Sequence, residues 1–357
     1  TENTQAALKR FSYRKLSREN RLTYDVLDYY LELSKKESDY LLYEEPMGTV
    51  SGVQTQIPVL LSEYQFQSKE DVDAYLELMK TTPDYFNSLI AFEQEKAQKG
   101  LFMASYTADT VIEQCQAFID MGDSNYLIST FVDRIQKLTD LSESEKSDYI
   151  QKNAYMLQTY VLPAYQQLIK TVVELKDSSK NEEGLCYLPN GKEYYELTVQ
   201  ASTGSVRTVP QLQKLTKNQM KDDLAAMKAV IGLTAEQAKE TAVMESTDPK
   251  EILNSLSLDI QKTFPKLPQT SVEVKYVPKA MEAHLSPAFY MIPALDDTEE
   301  NVIYVNQAQM GNKLTLYTTL AHEGYPGHLY QTVYYASTKP DPLRSIFNFG
   351  GYVEGWA

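Results

Sequence analysis

Histidine, cysteine and tryptophan are scarce in this chain: its 357 residues include three histidines, two cysteines and one tryptophan. Two cysteines without a second cysteine at short spacing exclude a disulfide-dense scaffold and a cysteine zinc knuckle. Cys115 and Cys186 still allow one disulfide in an oxidising compartment, or a buried free thiol at Cys115, which lies in a helical pattern. No stretch approaches the roughly 18 consecutive apolar residues of a helical membrane span. A basic surplus is missing too. With 34 Lys and Arg against 49 Asp and Glu, the formal charge is −15, which excludes the basic footprint that nucleic-acid phosphates require. No Gly-x-Ser-x-Gly elbow occurs, so a metal-free hydrolase lacks a convincing nucleophile.

What is present is a large apolar fraction, 43%, enough for a substantial core. Most of it recurs at helical spacing. Leu22, Val26, Leu27, Tyr30, Leu31 and Leu33 form one stripe, and further amphipathic helices are expected over 71–79, 85–98 and 107–119. A long helix over 143–175 is expected to be interrupted near Pro163. Shorter helices are expected over 209–230, 234–244 and 248–262, the last with Asp248 as N-cap and Pro249 at the first helical position. Alternation over 271–277 and 302–305 marks paired strands. The expected architecture is mainly α, with a small antiparallel sheet, in a single domain over 1–357. The charged stretch Lys176 to Gly184 is the best linker, within a candidate subdomain boundary at 176–190.

Two of the three histidines fall in one segment, Ala321-His322-Glu323-Gly324-Tyr325-Pro326-Gly327-His328. In zinc peptidases, two histidines one helical turn apart hold the metal and the glutamate after the first is the general base. Here the spacing is six. In a regular helix such residues lie about 120° apart on the circumference and about 9 Å along the axis, too far to share an ion. Pro326 lacks the amide that would bond the carbonyl of His322, however, and Gly327 tolerates almost any backbone angle. Two residues looped out as a wide bulge would return the histidines to a one-turn relation. The alternative is an exposed His-Glu pair before a helix-ending Pro-Gly. Sites of this type take a third ligand, a glutamate, from a following helix, and Glu354 in Tyr352-Val353-Glu354-Gly355-Trp356-Ala357 is the only acid after Asp341.

With these segments the chain resembles the bacterial DUF885 family, a group of uncharacterised proteins placed near the gluzincin metallopeptidases. Weaker matches extend the resemblance through Ser68 to Asp71, Pro83 to Gly100, Gly191 to Tyr195, Val277 to Tyr290 and Val302 to Asn306. The resemblance implies a large helical zinc-peptidase-like fold whose sheet lies near the metal helix. It implies His322 and His328 as Zn2+ ligands, Glu354 as the third, and Glu323 as catalytic base. In one respect the chain departs from the family pattern: the family's Glu-Gly-Trp-Ala element runs on into a helix with further acids, whereas this chain stops at Ala357. It is therefore expected to be the N-terminal and central part of a longer metallopeptidase-like protein, which leaves room for a further ligand.

The expected activity is hydrolysis of a peptide substrate by metal-activated water. The alternative is a non-catalytic, extracytoplasmic protein that keeps the fold and holds peptides or other ligands. Tyr325, Tyr290 and His284, in that order, are the candidate donors to the oxyanion, and His284 has an ordinary loop role as its alternative. Arg344 is a candidate partner for a substrate carboxylate, with a surface salt bridge as the default. Asn301 to Asn306 is the candidate edge strand for the substrate backbone, with a plain hairpin as its alternative. The polar opening Thr1 to Ala7 suits a mature exported protein just after a leader or lipid anchor, at a membrane surface or secreted; it equally suits a cut in a longer, cytoplasmic chain.

Overall fold

The computed structural model describes the chain except residues 51, 232–245, 278, 280–281, 283–284 and 296–298. The chain forms two compact units: Thr1–Asp39, Lys192–Val277 and Ser286–Ala357 make one, and Tyr40–Gly191 with Pro278–Leu285 the other. Helices α1 (Glu2–Leu8) and α2 (Arg18–Glu37) open the first unit. The second contains α3 (Val53–Ser62), α4 (Lys69–Lys80), α5 (Thr82–Lys99), α6 (Ser105–Asp120), α7 (Tyr126–Gln136), α8 (Glu143–Met156) and α9 (Leu162–Leu175). The first then resumes with α10 (Gly191–Thr203), α11 (Val209–Ile231), α12 (Pro249–Ile260), β1 (Ser271–Tyr276), β2 (Ala288–Met291), β3 (Glu300–Val305), α13 (Lys313–Glu323), α14 (His328–Ser337) and α15 (Gly350–Trp356). The mainly helical architecture expected from periodicity is the one observed. The helix expected over 234–244 lies outside the described residues.

In the second unit the apolar stripes meet in a core that includes Tyr75, Phe86, Phe118, Phe131 and Tyr165, all almost fully buried. Two helix starts are capping boxes, Ser68 with Asp71 and Ser142 with Glu145, each satisfying otherwise orphaned amides. Between α8 and α9 the helix widens into a π-helical turn, Leu157–Val161, just before Pro163. This is the expected interruption, because proline cannot donate to the preceding turn. The Lys176 to Gly184 stretch is tied down rather than a bare linker: the Glu182 carboxylate accepts the amide of Ser105 at the start of α6 at 3.0 Å. Cys115 and Cys186 form no disulfide, and burial pushes the Cys115 thiol up to about 12.

Helix α3 escaped the sequence reading because Pro58 sits inside it. Proline at that position leaves the carbonyl of Gln54 without its helical donor. The buried hydroxyl of Tyr165 donates to that carbonyl instead, at 2.7 Å. Tyr165→Phe removes only this donor, so urea unfolding is expected to show a loss of about 1 to 3 kcal/mol. Unchanged stability would mean that the carbonyl finds another partner.

In the first unit, α12 packs on the sheet and on α13 and α14. Ile252, Leu253 and Leu256 meet Ile303, Val305, Leu316, Leu320, Leu329 and Val333 in one buried cluster. Asp248 caps α12 by accepting the amide of Lys250, with Pro249 at the first helical position, as its sequence implied. The sheet has the order β1-β3-β2. It is mixed rather than purely antiparallel, since β1 and β3 run parallel and β2 and β3 antiparallel. A parallel pair needs a long connection, and here that connection contains β2 itself. The expected edge at Asn301 to Asn306 is consequently the centre of the sheet, paired on both sides and largely buried.

Candidate metal centre

Helix α13 ends at Glu323 and α14 starts at His328. The four residues between them do not stop the hydrogen-bond ladder. The amide of Gly324 reaches Leu320 four residues back, that of Gly327 reaches Ala321 six back, that of Tyr330 reaches Gly324 six back, and that of Gln331 returns to four with Gly327. Two extra residues are thus absorbed as a bulge, which is what Pro326 and its missing amide permit. Gly327 passes so close to the preceding turn that an added Cβ would stand 1.7 Å from the carbonyl oxygen of His322. At Gly324 the same atom would meet Leu253 Cδ2 at 2.4 Å.

The bulge brings the two imidazoles together, with Nε2 of His322 and Nε2 of His328 3.1 Å apart. Glu354 Oε2 lies 3.4 Å from the first and 3.5 Å from the second. Two imidazole nitrogens this close cannot both be protonated without repulsion. They share one proton or face one cation. Four ligands at about 2.0 to 2.1 Å from a tetrahedral zinc stand about 3.3 to 3.4 Å from one another, and the three atoms here form nearly that triangle. The donor set, two nitrogens and one carboxylate oxygen, also suits a catalytic zinc, which keeps its fourth position open. Glu354 is exposed and the two histidines are half-buried, so the three side chains meet at the surface rather than in the core. Burial, reinforced by His322 and opposed by Glu354, holds His328 below the usual histidine range, which favours the neutral ring a metal needs.

Glu354 reaches this point on α15, whose approach is fixed by aromatic contacts with α2. Phe347 packs on Tyr30 with ring centroids 4.8 Å apart, and Phe349 on Tyr29 at 6.0 Å. Glu323 follows His322 directly and turns its carboxylate to the sheet, where Oε2 accepts the amide of Tyr290 at 2.9 Å. Burial raises its pKa, with the Tyr290 amide and His322 opposing. A backbone donor of this kind leaves no trace in residue type, and the sequence reading missed it. Tyr290 belongs to β2, an edge strand, so β2 rather than β3 lies beside the centre.

The tyrosine candidates fare differently. Tyr325 is 6% exposed and packs in the apolar cluster with Leu329 and Ile303, so the structure gives it a core role rather than a place at the oxyanion. The Tyr290 hydroxyl donates to Asn301 Oδ1 at 2.6 Å and is already engaged. His284 lies outside the described residues. Arg344 stacks over Tyr335, 5.5 Å from the ring centroid.

The family of bacterial proteins of unknown function DUF885 matches residues 1–357, the whole chain. The chain belongs to that family. No curated protein matches the sequence. Two solved structures share the fold that this DUF885 chain adopts. One is described as "the putative lipoprotein from Colwellia psychrerythraea", with 19% identity and a TM-score of 0.73 over 87% of this chain. The other is described as "a putative lipoprotein of unknown function from Shewanella oneidensis", with 16% identity and a TM-score of 0.54 over 99% of this chain. The chain spans 58% of the Colwellia protein and 67% of the Shewanella protein.

Proposed function

We propose that this DUF885 protein is a zinc-dependent metallopeptidase in which His322, His328 and Glu354 hold the metal and Glu323 is the general base. The observation that carries the proposal is the near-equilateral triangle of three side-chain atoms, 3.1 to 3.5 Å on each side, with a half-buried carboxylate, Glu323, directly after His322. Zinc bound there would supply a Lewis acid and bring the pKa of its water to about 7. Glu323 takes a proton from the attacking water and passes it to the leaving amine. With Oε2 held by the Tyr290 amide, Oε1 receives that proton. Its raised pKa suits a group that must both accept and release. A peptide as substrate is supported by β2, an edge strand beside Glu323 onto which an extended backbone can add.

Zinc-loaded protein incubated with a broad peptide library, with products read by mass spectrometry, tests this. Cleavage that stops with chelator and returns with zinc is the expected result. Metal-replete protein that cleaves nothing would favour the alternative, a ligand-binding protein on the same fold. The proposal places the protein outside the cytoplasm, supported by the lipoprotein descriptions of the two structural relatives.

A further inference from the structure

Helix α15 has seven residues, too few to hold its own shape in water, so the position of Glu354 depends on tertiary contacts. Glu354 is itself exposed and meets only the two imidazoles among the described residues. Trp356, the one tryptophan of the chain, follows two residues later. Its indole Nε1 donates to the carbonyl of Pro326 at 2.8 Å, inside the bulge that separates the two histidines. Its ring lies parallel to Tyr330, with centroids 6.2 Å apart and planes 8° apart. Tyr330 stands two residues after His328 on α14 and is anchored in turn by its hydroxyl to the carbonyl of Pro265 at 2.8 Å. Phe264 meets both rings edge-on, at 5.5 Å from Tyr330 and 6.3 Å from Trp356.

We propose that Trp356 is a positioning residue of the metal centre: its N–H locks the helix that carries Glu354 to the bulge that aims His322 and His328. The inference rests on the zinc reading above and deepens it. One side chain touches the histidine bulge through a hydrogen bond and the helix of His328 through a ring stack, while rising from the helix of Glu354. Partners that orient metal ligands in this way typically contribute 10- to 100-fold in affinity, roughly the range expected here.

Zinc affinity, measured by competition with a chromogenic chelator, tests it on the wild type, on Trp356→Phe and on a protein with benzothienylalanine at position 356. The last keeps the ring's shape and replaces its N–H by sulfur. Both replacements are expected to weaken zinc binding by about 10-fold or more, with the melting temperature of the metal-free protein unchanged for the benzothienyl form. In the wild type, zinc is expected to change the fluorescence of the lone tryptophan, and His328→Ala to abolish that change. Benzothienyl protein that binds zinc as tightly as the wild type overturns the inference and leaves the metal reading intact. A lower metal-free melting temperature with unchanged affinity also overturns it, by reducing Trp356 to packing. Wild-type protein that binds no zinc overturns the reading on which the inference rests.

Discussion

Glu323→Gln is expected to lower kcat/KM for a cleaved peptide by about 10²- to 10⁴-fold, the usual contribution of a general base. The substitution is nearly isosteric, and an amide oxygen can still accept the hydrogen bond from Tyr290 that now reaches Oε2 at 2.9 Å. What it removes is the ability to take a proton. Because Glu323 is next to His322 and contributes none of the three converging atoms, zinc content should stay at the wild-type level. Loss of activity with metal retained separates a chemical role from a collapsed site. Wild-type turnover in the glutamine variant would remove Glu323 from the mechanism.

Gly327→Ala is expected to have the larger structural effect. Its Cβ would stand 1.7 Å from the carbonyl oxygen and 2.4 Å from the carbonyl carbon of His322, and neither atom belongs to a flexible side chain. Relief requires the bulge to open, which swings His322 away from His328. The cost should exceed the 1 to 3 kcal/mol of ordinary overpacking, so about 3 kcal/mol or more in denaturant unfolding. Zinc affinity should fall by at least about 100-fold, since His322, a proposed ligand, is displaced rather than its support. Gly311→Ala, where an added Cβ meets nothing within 4 Å, is the control and should change neither quantity. A Gly327→Ala protein with wild-type affinity would show that the bulge is not what aims the imidazoles.

The convergence of the two histidines was legible in the sequence because its signal is local: a proline and a glycine between two scarce residues supply the means of bending the backbone. Amphipathic helices such as α4 to α6 were legible for the same reason, their apolar period lying within one segment. The rest depended on partners distant along the chain. Helix α3 was not among the expected helices: Pro58 removes an amide from it, and the donor that takes its place, Tyr165, lies 111 residues from Gln54. The order β1-β3-β2 is set by non-local pairing, which alternation within a strand does not encode, so the central strand was read as an edge. The hold of Tyr290 on Glu323 is a backbone bond, invisible in residue type. Tyr325 looked available beside Glu323, but the bulge turns it into the apolar cluster around Leu329. Trp356 was in view within the Glu-Gly-Trp-Ala segment, yet only the fold brings its N–H to Pro326.

Metal content after chelator treatment and zinc restoration, compared between the wild type and His328→Ala, tests most directly whether the three converging side chains form a metal site. The account predicts about one zinc per chain in the wild type and almost none in the variant. Wild-type protein that retains no zinc, or a variant that retains as much as the wild type, would contradict it.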